Sequence, residues 1–143
     1  MIFRNTTDIP DKLIAIAVAH SLPEGVVIDE IVIKNKMEDH VNGQWGWYYP
    51  NARKIVLIVP RKLDGLITTM KYSRLSISFN SRVEFVIAVM AHEIRHAWQY
   101  QKSIGRQMTI REKEVDAERY ERAKLYEWRA KLDQMERAAS AGR

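Results

Sequence analysis

The stretch from Phe85 to Gln101, FVIAVMAHEIRHAWQYQ, limits what this chain can fold into more than any other. No Gly or Pro interrupts it before Gly105, and Ser81-Arg82-Val83-Glu84 ahead of it fits a capping box, so the spacing predicts a helix over about 82–101. At 100° per residue, Phe85, Ala88, Val89, His92, His96 and Gln99 fall on one face. Val86, Ile87, Met90, Ala91, Ile94, Ala97 and Trp98 cover most of the rest. A helix apolar nearly all round must be buried on both sides. Polar groups inside such a helix need a physical reason.

Those groups are His92-Glu93-Ile94-Arg95-His96, the pattern H-E-x-x-H. Positions i and i+4 stand one above the other, about 5–6 Å apart, so both imidazoles reach one ion. Glu93 is turned away from the pair, within reach of a water on that ion without being a ligand. Arg95, inside the motif, is expected to pair with a carboxylate as a structural contact.

A catalytic zinc site takes three protein ligands and leaves one position open. The chain has no cysteine, so disulfides and thiolate sites are excluded and the third ligand is His, Asp or Glu. His20 and His40 lie far upstream. Downstream, Arg111-Glu112-Lys113-Glu114-Val115-Asp116-Ala117 places Glu112 and Asp116 four apart on one helix face. Glu112 can then bind the metal while Asp116 accepts the free N–H of a ligand imidazole, fixing its tautomer. Two alternatives stay open. Thr109-Ile110-Arg111-Glu112 also fits a capping box, which would turn Glu112 back to the helix start, and Glu114 with Glu118 is the fallback carboxylate pair.

The rest of the 143 residues supplies a scaffold for one domain. Asp8–His20 reads as a first helix, capped by Thr7 or Asp8 with Pro10 in its first turn. Val26–Lys34 is β-branched and reads as a strand, and 35–42 as a polar loop. Gln44–Tyr49 and Lys54–Val59 form a hairpin across Pro50-Asn51-Ala52-Arg53. Arg61–Tyr72 is ambiguous, and Leu75–Phe79 alternates like a short strand. A second long helix runs from about 110 to 137, with Val115, Ala123, Tyr126 and Ala130 as its apolar stripe and a frayed tail after about 138. The fold class expected is α+β: an N-terminal helix, a small, mostly antiparallel sheet of three or four strands, a buried active helix and a long ligand-bearing helix.

Composition narrows the partners. The formal charge is +5, but residues 111–143 carry nine Lys/Arg against eight Asp/Glu, so the excess lies upstream and forms no long basic run. Nucleic acid is thus a weakly supported partner. No apolar run spans a bilayer and no secretory leader pattern opens the chain, so a cytoplasmic protein without membrane contact is expected.

H-E-x-x-H followed by E-x-x-x-D on a later helix resembles the gluzincin branch of the zinc metallopeptidases, and R-E-K-E-V-D-A is similar to that branch's R-E-x-x-x-D-A. The order of elements also resembles small zincins of the SprT-like and ImmA/IrrE-like kinds. The specific motifs cover only 92–96 and 112–117, while the likeness of architecture covers about 10–130. SprT-like proteins take a third histidine that this chain lacks downstream, which favours the glutamate-ligand branch.

The resemblance implies a zincin-like fold and a zinc-dependent peptidase, an endopeptidase, with one Zn2+ and no other cofactor. His92, His96 and Glu112 match the metal ligands, Glu93 the general base, and Asp116 the partner of a ligand histidine. Its substrate would be a protein or peptide lying as an added strand along Gln44–Tyr49. A tyrosine (48, 49, 100, 120 or 126) or His40 would steady the oxyanion. Two further readings remain: a nucleic-acid-associated protease or repair factor, and a regulatory protein that keeps the fold but cleaves one partner or none.

Overall fold

In a computed structural model the protein is a mixed α+β domain, described over residues 1–37, 44–63 and 67–142. The elements are β1 (Ile2–Asn5), α1 (Asp11–Ser21), β2 (Glu30–Asn35), β3 (Gly46–Tyr49), β4 (Lys54–Val59), β5 (Ile67–Thr69), β6 (Ser76–Ser78), α2 (Arg82–Gln101), α3 (Ser103–Arg106) and α4 (Ile110–Ala141). No described helix is long and apolar enough to cross a membrane.

Four strands form the main sheet in the order β1-β2-β4-β3. Two of its three pairings are parallel, β1 with β2 and β2 with β4, and only β3–β4 is antiparallel. The expected, mostly antiparallel sheet is therefore corrected. Helix α1 is a crossover between β1 and β2, and a crossover returns the chain in the same direction. Strand β1, only four residues at the chain start, carries too short a pattern to announce itself.

Alternation does the packing. Ile31 and Ile33 of β2 and Ile55, Leu57 and Val59 of β4 are fully buried, and Phe85, Ile87, Met90 and Ile94 of α2 complete the same core. Helix α2 spans the expected residues, and its N-cap Ser81 accepts from the Glu84 N–H. Helix α1 starts later than expected, after Pro10; Asp8 instead pairs with Arg82 at 2.8 Å.

Strands β5 and β6 make a separate two-stranded sheet. It packs through Met70 and Ile77 against Leu125 of α4. Helix α4 is longer than expected, helical through Ala141, and it presents a different face. Ala123, Tyr126 and Ala130 are exposed, and the buried positions are Ala117, Glu118, Glu121 and Leu125. Acidic groups occupy the inward side of this helix because each has a polar partner there.

Candidate metal centre

Helix α2 brings His92 and His96 side by side, ring centroids 4.8 Å apart, as the i,i+4 spacing requires. Glu114, in the second turn of α4, faces both. Its Oε2 lies 3.5 Å from His92 Nε2 and its Oε1 lies 3.3 Å from His96 Nε2. One donor atom from each of the three lies within 4.8 Å of the others, so His92, His96 and Glu114 can hold a metal ion.

Glu112 is not brought to the pair. Its N–H donates to Thr109 Oγ1 at 3.1 Å, and its Oε1 accepts from the Thr109 N–H at 3.1 Å, a complete capping box. Those bonds hold its carboxyl below the ordinary value on an exposed first turn. Two residues on a helix are two 100° steps, so a carboxylate at 112 and one at 114 point to nearly opposite sides. The expectation of Glu112 as third ligand gives way to Glu114, which was the fallback.

The far sides of the rings decide their protonation. His92 Nδ1 is 2.8 Å from Glu121 Oε1, and His96 Nδ1 is 2.8 Å from Gln99 Oε1. Gln99 Nε2 donates to the Lys113 carbonyl at 2.8 Å and to Asp116 Oδ2 at 2.9 Å, which leaves its oxygen for His96. Both Nδ1 atoms therefore meet acceptors and must carry the proton. Both Nε2 atoms are left to point at Glu114. In a neutral imidazole that nitrogen holds a lone pair, the atom that binds metal.

Asp116 does not touch a ligand ring. It accepts from Arg95 Nε at 2.7 Å and Nη2 at 3.2 Å, and from Gln99, so it steadies His96 one link removed. Burial alone would raise its pKa; the bonds from Arg95 and Gln99 outweigh this and lower it. Arg95 also lies 3.8 Å from the Trp98 ring, a cation over an aromatic face, as well as holding its expected carboxylate. Gln99 is fully buried, and a Cβ on Gly105 would come within 2.3 Å of its Cα, so α3 can pass only with glycine there. Gln99 and Glu121 were not among the residues expected to serve the site. Gln99 had a signal, its place on the histidine face. Glu121 had one only relative to Glu114, seven residues on and two helical turns along.

Glu93 is 5% exposed, with no hydrogen bond or ion pair to it among the described residues. Burial raises its pKa, with the nearby His92 and His96 pulling the other way. Above it runs β3. A Cβ on Gly46 would lie 2.9 Å from Glu93 Oε2 and from Val89 Cγ1, so the strand can pass this close only where there is no side chain. In the metal-free site burial lowers the His92 pKa, but hydrogen bonds to Glu114 and Glu121 overcome it and raise it well above the ordinary value. Hydrogen bonds from His92 and His96 hold Glu114 far below the ordinary carboxylate range.

The three donors line a cleft of about 690 Å3, with Trp45, Trp47 and Tyr48 on the β3 side and Met70, Lys71 and Tyr72 from the β5–β6 turn. Of the tyrosines considered for an oxyanion, Tyr48 and Tyr100 line the cleft, whereas Tyr49, Tyr120 and Tyr126 do not. Tyr72, which does, was not among them. His20 sits elsewhere, bonded to the Lys124 carbonyl at 2.8 Å, and His40 lies outside the described residues.

The donor set fits a borderline-soft divalent ion. Two imidazole nitrogens and a carboxylate are a zinc ligand set, and a tetrahedron with bonds of about 2.0–2.1 Å has edges of about 3.3 Å. The donor chemistry carries the fit: the 3.3 and 3.5 Å His–Glu separations run to different oxygens of Glu114, and one donor atom from each of the three residues lies within 4.8 Å of the others. No protein-family model, curated protein or solved structure matches the chain.

Proposed function

We propose that the protein is a zinc-dependent peptidase. One observation carries this reading: both histidines are tied by Nδ1 to oxygen acceptors, so that two Nε2 atoms and Glu114 converge beside a buried Glu93 that makes no hydrogen bond among the described residues. A structural site would have no use for that fourth group, an acid held out of water with a raised pKa.

His92, His96 and Glu114 would hold the ion. Zinc in such a site acidifies a coordinated water and polarises a substrate carbonyl. The chain's own groups do the rest. Glu93 accepts the proton of the attacking water and returns it to the amine nitrogen that leaves. Glu121 and Gln99 keep the rings turned and the Nδ1 atoms protonated. The outer edge of β3 has no partner strand among the described residues, and it lines the cleft. An extended peptide pairing there would carry its backbone past Glu93.

The test is zinc analysis of purified protein with cleavage profiling on a proteome-derived peptide mixture. Glu93→Gln is expected to keep one zinc per chain and lose at least ~100-fold in turnover, the lower range of a general base's contribution. Full activity in that variant would remove Glu93 from the reaction.

A further inference from the structure

Glu118 lies one turn beyond Glu114 on the same face of α4. It is 4% exposed, and its carboxylate forms no ion pair among the described residues. Instead it accepts from two successive backbone N–H groups of the β5–β6 turn. Tyr72 N donates to both oxygens at 3.1 Å, and Ser73 N donates to Oε1 at 2.7 Å. Hydrogen bonds to an ionised acceptor are about twice as strong as neutral ones, so this is a firm grip on a short piece of backbone.

The turn closes on itself through Met70 N–H to the Leu75 carbonyl at 2.6 Å and Arg74 N–H to the Met70 carbonyl at 2.9 Å, and Glu118 ties its tip to α4. Among the described residues its two strands pair with each other and not with the main sheet. Besides Glu118 it is held by Arg129, whose Nη2 donates to the Ser78 carbonyl at 2.7 Å, and by Met70 and Ile77 against Leu125. All of these contacts come from α4, the helix that carries Glu114. Met70, Lys71 and Tyr72 of the turn line the cleft that β3 bounds elsewhere. The turn is thereby indexed to the third metal donor, and β3 to the general base through Gly46.

We infer that Glu118 is a substrate-positioning residue: it fixes the 70–73 turn as a second rim of the cleft, so that a bound peptide is gripped between this turn and the β3 edge. The inference rests on the peptidase reading for its ligand class, an extended peptide. Glu118 takes no part in the chemistry, and its hydrogen bonds among the described residues go to the turn and not to Glu121 or Gln99.

Zinc-loaded Glu93→Gln protein provides an uncleaving background. Backbone hydrogen exchange is measured on it with and without a peptide taken from the cleavage screen, or a mixed extended-peptide pool if nothing is cut. Peptide is expected to slow exchange at 46–49 and at 70–73 together. Adding Glu118→Met, which removes the acceptor at similar volume, is expected to leave zinc content unchanged, abolish the slowing at 70–73 and weaken peptide binding about tenfold, the worth of one bond to a charged group. Unchanged exchange at 70–73 in the Glu93→Gln protein overturns the inference, whether or not the second variant folds. So does peptide affinity that survives Glu118→Met. The two readings fail separately. Wild-type cleavage without protection at 70–73 sinks the positioning role alone, and protection at 70–73 without wild-type cleavage sinks the peptidase alone.

Discussion

The site lies between two walls built on opposite principles. The α2 wall is held by burial: Phe85, Ile87, Met90 and Ile94 pack on Ile31, Ile33, Ile55 and Leu57, all essentially inaccessible. The α4 wall is held by polar bonds. Glu114 and Glu121 meet the histidines, Asp116 meets Arg95 and Gln99, Glu118 meets a turn, and Arg129 meets Glu84 at 2.7 Å. That apolar packing tolerates changes in pH and salt, because none of those eight side chains titrates. A polar wall keeps its geometry only while each charge keeps its partner. Rigid histidines on the first, with the ligand and its supports on the second, make the centre's assembly conditional on the α4 contacts.

Removing volume from the first wall should have the largest effect on stability. Phe85→Ala is expected to cost about 3–5 kcal/mol, the range for a fully buried phenylalanine, with the same loss at pH 5 and pH 8 in denaturant titration. Equal sensitivity at the two walls would erase the contrast, and Arg129→Ala measures the other side. Its partner Glu84 is 5% exposed, but Arg129 is about a third exposed, so about 1–2 kcal/mol is expected.

The supports behind the histidines come next. Gln99→Ala and Glu121→Ala each leave all three donors in place and release one ring. Each is expected to weaken zinc binding by about 10–100-fold in competition with a chelator. Unchanged affinity in both would mean that the rings are oriented by packing alone, which would make the second wall resemble the first.

The smallest effect is acid sensitivity. Burial alone raises the Glu84 pKa, but hydrogen bonds from Arg129 and the Asn80 N–H leave it below its ordinary 4.5. A depressed folded pKa contributes stability that is complete above the unfolded value and lost as pH falls through the folded one. Asp116 has the same sign, so stability should decline below about pH 4.5 through the α4 contacts. His20, lowered by burial where it packs on α4, adds a loss of the same sign that begins near its ordinary 6.5. Thermal melts from pH 7 to about pH 2.5 should show a shallower decline below pH 4.5 in Arg129→Ala than in the parent. An identical decline would place the acid-sensitive contacts elsewhere.

What the sequence disclosed follows the same division. The α2 wall was legible because hydrophobic periodicity, the Ser81 cap and the unbroken run all point one way. The β3–β4 hairpin was legible for the same reason, with its turn at Pro50–Arg53. The α4 wall was misread three times. Its apolar positions Ala123, Tyr126 and Ala130 face solvent, since the inward side is chosen by partners for Glu114, Glu118 and Glu121. Periodicity of apolar residues cannot register a buried face made of glutamates. Between Glu112 and Glu114 the T-x-x-E pattern held the answer: the capping box that starts α4 at Ile110 occupies Glu112 and turns Glu114 towards α2. Asp116 was placed on the correct helix but given the wrong partner, because the glutamine that links it to His96 carries no motif.

The most direct measurement is a zinc titration of the parent, Glu114→Ala and Glu112→Ala side by side, with folding checked by circular dichroism. Glu114→Ala is expected to lose more than ~100-fold in zinc affinity, beyond what loss of a supporting residue costs, and Glu112→Ala to bind as the parent does while losing about 1 kcal/mol of stability from the cap. Parent-like binding in Glu114→Ala, or loss of binding in Glu112→Ala, would contradict a centre formed by His92, His96 and Glu114.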